Sequence, residues 1–234
     1  MPSISQLQSE WNAANGTFPQ AGTTGNANVD ALARVVASEG YSGPKQVGWA
    51  AAAVGIAWTE VNRAKYDGRS LFSSIAPSGT YGPQGEGGRE VASSKSPNTW
   101  HLRVAQAVMN GAIENPVGAA HHYFDPYVQD GGVQAGKSLK PADWIITNWH
   151  DNYKWAWIGQ VNTLDPYALM FFRPEANAST RNTQKTKALA AIYDGRRRVV
   201  IADGRRRLNA IAYAGGSAML TVAIVLGITW IATQ

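Results

Sequence analysis

From Leu208 to Gln234 the chain carries no charged side chain. A stretch this long with no polar face must leave water altogether, either inside a protein core or across a bilayer. Ala210 to Ala232, AIAYAGGSAMLTVAIVLGITWIA, spans roughly 34 Å as a helix, against a hydrocarbon thickness of about 30 Å. Tyr213 and Trp230 stand near its two ends, where interfacial aromatics belong. We therefore expect a single transmembrane helix over 210–232, the alternative being a buried C-terminal helix. The opening MPSISQLQSEWNAANG has neither a basic region nor an apolar run, so no signal peptide is expected.

The segment preceding the tail holds the chain's charge. Net charge is +5, but Lys185 to Arg207 contains eight basic residues and two acids, leaving the rest of the chain at −1. Asp194-Gly195-Arg196-Arg197-Arg198 recurs as Asp203-Gly204-Arg205-Arg206-Arg207. Nine residues of helix turn about 900°, which puts the two triplets on opposite faces and makes a poor stripe for a nucleic-acid backbone. Next to a membrane helix, Arg196, Arg197, Arg198, Arg205, Arg206 and Arg207 suit anionic lipid headgroups, at about 1 kcal/mol per basic residue. DNA is the alternative partner.

Upstream, 44% apolar and 16% charged residues exclude a disordered or fibrous chain. The absence of cysteine excludes a disulfide framework, a thiol nucleophile and a thiolate metal site. Residues 1–28 show no sustained period and read as an N-terminal arm, with at most a short helix near Ile4–Trp11. Val29, Leu32, Ala33 and Val36 predict a helix capped by Asn28 or Asp30 and stopped at Gly40. Ser42-Gly43-Pro44 predicts the start of a second helix, an alanine-rich one running to about Ala64. A Gly-, Pro- and Ser-rich loop follows over Asp67–Asn98. Leu102, Ala105, Val108 and Met109 predict a third helix. Ala119–Phe124 and Ala168–Phe172 read as short strands, Asp125-Pro126 as a turn, and residues 127–155 as an irregular, Trp-rich excursion. These elements predict a mainly helical α+β domain over 29–174, with a basic juxtamembrane connector over 175–209.

Glu39 stands at the C-terminal end of the first of these helices. The helix dipole and apolar neighbours such as Val35 and Val36 both favour its protonated form, as a general acid for glycosidic cleavage requires. Three blocks surround this position in the sequence. Leu32-Ala33-Arg34-Val35-Val36-Ala37-Ser38-Glu39-Gly40-Tyr41-Ser42-Gly43 leads, through Gln46–Val54, to Glu60-Val61-Asn62-Arg63. Asn115-Pro116-Val117-Gly118-Ala119-Ala120-His121-His122-Tyr123-Phe124-Asp125-Pro126 comes next, and Ile158-Gly159 with Phe171-Phe172 closes the series. In this order, over about residues 29–173, the blocks resemble the cell-wall hydrolase family of spore cortex-lytic enzymes (SleB/CwlJ type). The closing block departs from that pattern, with Gln160-Val161 where the family has Asn-His and an insertion through Tyr167. The stretch from Tyr127 to Tyr153 is also longer than the family's.

The resemblance implies a lysozyme-like fold and cleavage of the bond between muramic acid and glucosamine in peptidoglycan, with Glu39 as the catalytic acid. It further implies a lytic transglycosylase, for which one carboxylate suffices. A hydrolysing muramidase would want a second, for which Asp67, Glu86 and Glu90 are the loop candidates. Tyr81, Gln84 and Glu86, together with Trp100, His122 and Tyr123, are the expected substrate contacts. Trp144, Trp149, Trp155 and Trp157 are further rings able to stack on sugars. His121, His122, Asp125, His150 and Asp151 hold metal-binding side chains, but adjacent strand residues face opposite ways, so no metal and no cofactor is expected.

Because the basic residues precede the membrane helix, the positive-inside rule puts the domain on the cytoplasmic side, away from peptidoglycan. A bacteriophage virion with an internal membrane resolves that conflict. The expected partners are then glycan strands, the lipid bilayer and other virion or capsid proteins. The competing reading is a structural virion membrane protein whose lysozyme-like module binds glycan or DNA without catalysis.

Overall fold

The computed structural model describes residues 2–39, 48–75, 96–137, 139–162 and 164–214, with side chains described as far as residue 203. The chain is α+β and mainly helical, with one small sheet. Two compact units divide it, Met1–Ile192 and Tyr193–Gln234.

In the first unit the helices are α1 (Ile4–Ala13), α2 (Ala27–Ser38), α3 (Trp49–Tyr66), α4 (Leu71–Ile75), α5 (Thr99–Met109), α6 (Pro126–Gln134) and α7 (Ala142–Asp151). The strands are β1 (His122–Phe124), β2 (Trp155–Trp157) and β3 (Met170–Pro174), in the spatial order β1-β3-β2 and antiparallel throughout. A final helix, α8 (Ala178–Ala214), crosses from the first unit into the second.

The centre of the first unit is α3, against which α1, α2, α4, α5 and β1 all pack. A helix surrounded on all sides has no polar face to keep, and small side chains let its neighbours approach closely. That is the reason for its alanine run: Ala50, Ala51, Ala52, Ala53 and Ala57 are all buried. The start of α3 is capped by Gly48, whose φ of 104° suits a residue without a Cβ.

Side-chain alternation then lets the sheet serve two cores. Phe171 of β3 joins the α3 core, while its neighbours Met170 and Phe172 join a second cluster with Phe124, Ile146 and Trp157. The register pairs Tyr123 with Phe171 and His122 with Phe172. Tyr123 therefore faces α3, and His122 faces away from it.

Several expectations change in this structure. Residues 1–28 are not a free arm: Ser3 and Gln6 form a capping box on α1, Leu7 is completely buried, and Gln20 bridges Asn98. Asn26, rather than Asn28 or Asp30, caps α2, because its side chain reaches the amides of Asn28 and Val29. Asp125-Pro126 opens a helix instead of making a turn. Asp125 is the N-cap of α6, accepting from Val128 N at 2.9 Å, and the proline occupies the first helical position, where no amide is needed. The stretch expected to be irregular over 127–155 holds α6 and α7.

The boundary expected at residue 174 also moves. Ala188 and Ile192 of α8 are buried in the second cluster, so the first half of the expected connector belongs to the first unit.

In the second unit, α8 continues as an exposed helix. Arg198 pairs with Asp194 at 2.9 Å, and Arg196 lies over the ring of Tyr193. The side chains of Arg205, Arg206 and Arg207, and residues 215–232 of the expected membrane span, lie outside the described residues. Among the described residues, no helix is long and apolar enough to cross a membrane.

Candidate active site

Glu39 is the C-cap of α2. Its backbone amide donates to Val35 O at 2.8 Å and its side chain is half-buried. Its charge acts on residues of α3 and β1.

Glu60 lies two-thirds of the way along α3 with 0% exposure. Its Oε2 accepts from Arg63 Nη1 at 3.4 Å, while Oε1 has no hydrogen-bond partner among the described residues. Burial raises its pKa to about 7. Arg63 opposes that rise, and the charge of Glu39 adds to it. The Tyr123 hydroxyl, presented from β1, is likewise buried without a described partner. Burial pushes it well above the ordinary phenol value, and the charges of Glu39 and Glu60 push it further. The charges of Glu39 at the end of α2 and Arg63 on α3 thus both act on Glu60 of α3 and Tyr123 of β1.

The same stretch of α3 fixes the loop that enters β1. Asn62 Nδ2 donates to Gly118 O at 2.8 Å and to Ala120 O at 2.7 Å, and Arg63 Nε donates to His121 O at 3.0 Å. Asn115 closes the loop on itself, donating to Gly118 O at 2.7 Å and accepting from Val117 N at 3.0 Å. Two sequence blocks more than fifty residues apart are therefore joined by side chain to backbone bonds, which deliver Tyr123 to the α3 core.

The remaining site candidates disperse. Tyr81, Gln84, Glu86 and Glu90 lie outside the described residues. Trp100 is a core residue with 2% exposure: its Nε1 donates to Leu7 O at 3.1 Å, and its ring packs on Trp11 and Trp49. That leaves no open ring face for a sugar.

His122 is on the opposite face of the sheet from Tyr123. It stacks on Trp155 at 3.6 Å and meets Trp149 edge-on, and burial with the nearby Arg63 lowers its pKa to about 2. Of the other rings, Trp144 is exposed, Trp149 and Trp155 are half-buried, and Trp157 is buried. Asp67 caps the end of α3 and acts on His121.

His150 is a satisfied core side chain. Its Nδ1 donates to Arg181 O at 3.1 Å, its Nε2 accepts from Trp157 N at 3.4 Å, and burial lowers its pKa to about 4. His121 and His122 do not diverge as strand neighbours would. His121 precedes β1, and the two rings touch edge-to-face at 4.6 Å. Even so, no group of three or more His, Asp or Glu side chains able to hold a metal ion occurs among the described residues.

A cavity of about 840 Å³ lies elsewhere, beside α1, lined by Gln8, Asn12, Ala51, Glu114 and Asn162 among others. It does not reach Glu39.

Of Glu39, Glu60, Arg63 and Tyr123, sequence reasoning gave no role to Glu60 and Arg63, and Glu60 is the one it could have found. Its position in an otherwise apolar, alanine-rich helix was the available signal, since a carboxylate there has to be buried. No protein-family model, curated protein or solved structure matches the chain.

Proposed function

We propose that this protein is a membrane-anchored peptidoglycan lytic transglycosylase of lysozyme-like fold. The observation that carries the reading is the half-buried Glu39 at the end of α2, whose charge acts on a buried carboxyl and a buried phenol. A carboxyl in such surroundings is suited to moving a proton.

In the reaction, Glu39 gives its proton to the glycosidic oxygen as the bond from that oxygen to the muramic acid C1 breaks. The sugar's own 6-hydroxyl oxygen then bonds to C1 and returns its proton to Glu39, closing an anhydro ring without water. Glu39 ends the cycle as it began.

A zymogram on peptidoglycan tests this. The expected result is a clearing band that is lost in Glu39→Gln, with anhydromuramic ends in the products. That variant should fold with an equal or higher thermal midpoint, since functional acids are rarely placed for stability. No clearing from the folded wild-type protein overturns the reading in favour of a non-catalytic module. Unmodified reducing ends would make the enzyme a muramidase.

The uncharged tail and the basic triplets before it support anchoring in a bilayer with the domain on the positive-inside face. An enzyme of this specificity so oriented would act from the internal membrane of a bacteriophage during entry, in company with other virion proteins. Protease treatment of spheroplasts expressing the protein checks the orientation: the domain should be protected from outside, and its digestion there would refute the topology.

A further inference from the structure

We propose that the cavity of about 840 Å³ beside α1 is a saccharide-binding site, separate from Glu39, that holds a short stretch of an uncharged, N-acetylated glycan. That the sugar is N-acetylated rests on the peptidoglycan reading above. That the ligand is a saccharide rests on the cavity itself.

Four segments build the cavity, and each is anchored in the core of the first unit. Gln8, Ser9 and Asn12 come from α1, which Leu7 fastens by complete burial. Ala51, at the start of α3, is buried as well. Gln8 ties these two helices together: its Oε1 accepts from Ala50 N at 2.9 Å, and its Nε2 donates to Asn12 Oδ1 at 2.9 Å. Glu114, from the loop after α5, stands between the buried Ile113 and Asn115, whose side chain accepts from Val117 N at 3.0 Å. Asn162, after β2, lies on a turn closed by Leu164 N donating to Val161 O at 2.9 Å, and both of those residues are buried. A cavity held from four sides keeps its shape without a ligand, which lowers the entropic cost of binding.

The volume falls within the range of about 300–1,000 Å³ usual for small-ligand sites. Glu114 is the one charged side chain among the described residues that line it. With no Lys or Arg there, a phosphate group has nothing to pair with, and a single carboxylate is too few for a hard metal ion. A peptide would want a free strand edge, a wholly apolar groove or an aromatic-lined one, and the described lining offers none of these. What it does offer is hydroxyls and amides, which both donate and accept, as sugar hydroxyls and an acetamido group require. Gln8 occupies Asn12 Oδ1 and leaves Asn12 Nδ2 to donate. The side chains of Ser9, Glu114 and Asn162 make no hydrogen bond among the described residues. Ala51 and Ile113 add an apolar floor for the carbon–hydrogen face of a pyranose.

The test is a titration of the full chain in detergent with chitotriose, the trimer of N-acetylglucosamine. It is followed by ¹⁵N NMR at the side-chain amides of Gln8, Asn12 and Asn162. These amides should shift in the wild type and equally in Glu39→Gln. Asn12→Ala and Asn162→Gly should each raise the Kd by roughly two- to tenfold, the loss expected for one hydrogen bond. Both residues are exposed, and glycine at 162 keeps the left-handed φ of 48°, so both variants should fold.

No shift of these amides at millimolar chitotriose overturns the site. Shifts of equal size with trialanine overturn its assignment to a saccharide. Absence of clearing by the wild type refutes the reaction at Glu39 and leaves this titration, which does not depend on cleavage, to judge the cavity.

Discussion

A carboxyl buried beside a single arginine is stabilised as the neutral acid, and the sign of its effect on folding follows. The pKa of Glu60 is raised from 4.5 to about 7 in the folded protein. The unfolded chain therefore ionises first, and the favourable contribution of Glu60 is lost as pH rises from about 4.5 through 7. The buried histidines run the other way. The pKa values of His122 and His150 are lowered to about 2 and about 4, so they cost stability as pH falls below 6.5. Comparing Glu60→Gln with the wild type at each pH removes the histidine part. Chemical denaturation should show the variant gaining on the wild type by roughly 2–3 kcal/mol between pH 5 and 8. A difference that stays flat over that window would mean Glu60 is already charged at pH 5. Asp125, also raised to about 7 by burial, shifts both proteins alike.

Among the elements, α3 sets the terms for the others, and one of its glycines shows how tightly. On propensity alone, Gly55→Ala in mid-helix should stabilise by about 1 kcal/mol. A Cβ there would stand 2.5 Å from Phe171 Cζ and 3.1 Å from Cε1, and Phe171 is itself buried between α3 and the rest of its core. The ring has no space to yield into, so packing overrides propensity. We expect Gly55→Ala to destabilise by about 1–3 kcal/mol, read as a lower thermal midpoint. A higher midpoint would show that the β3 contact is loose.

The regular periods of α2, α3 and α5 were legible in the sequence because each buries a continuous stripe. The helices α6 and α7 were not. The Asp-Pro pair at the start of α6 serves a turn as readily as a helix N-terminus, and Gly131-Gly132 weakens the helical pattern.

At the scale of the whole molecule, the Met1–Ile192 unit is completed by a helix that sequence composition assigns to a connector. Ending the chain at Pro174 would remove Ala188 and Ile192 from the second cluster and expose Phe124, Ile146 and Trp157. Such a truncation should unfold at a clearly lower temperature than one ending at Ile192, since the isoleucine alone is worth about 2 kcal/mol of burial. Equal midpoints for the two truncations would show that α8 adds nothing to the core.

What the sequence determined by itself is what periodicity and composition can encode locally: a mainly helical α+β domain, a chemically distinct charged segment, an uncharged tail, and Glu39 at the end of a helix. Tertiary structure decided which distant residues meet. Burial turned Glu60 from one more helical glutamate into an acid that keeps its proton up to about pH 7. Strand alternation assigned Tyr123 to the α3 core and His122 to the other face. Trp100 went to the core because its indole N–H found a backbone carbonyl there. Apart from the apolar helix around Glu60, none of these outcomes has a local signature, because each depends on the desolvation and partners that packing alone supplies.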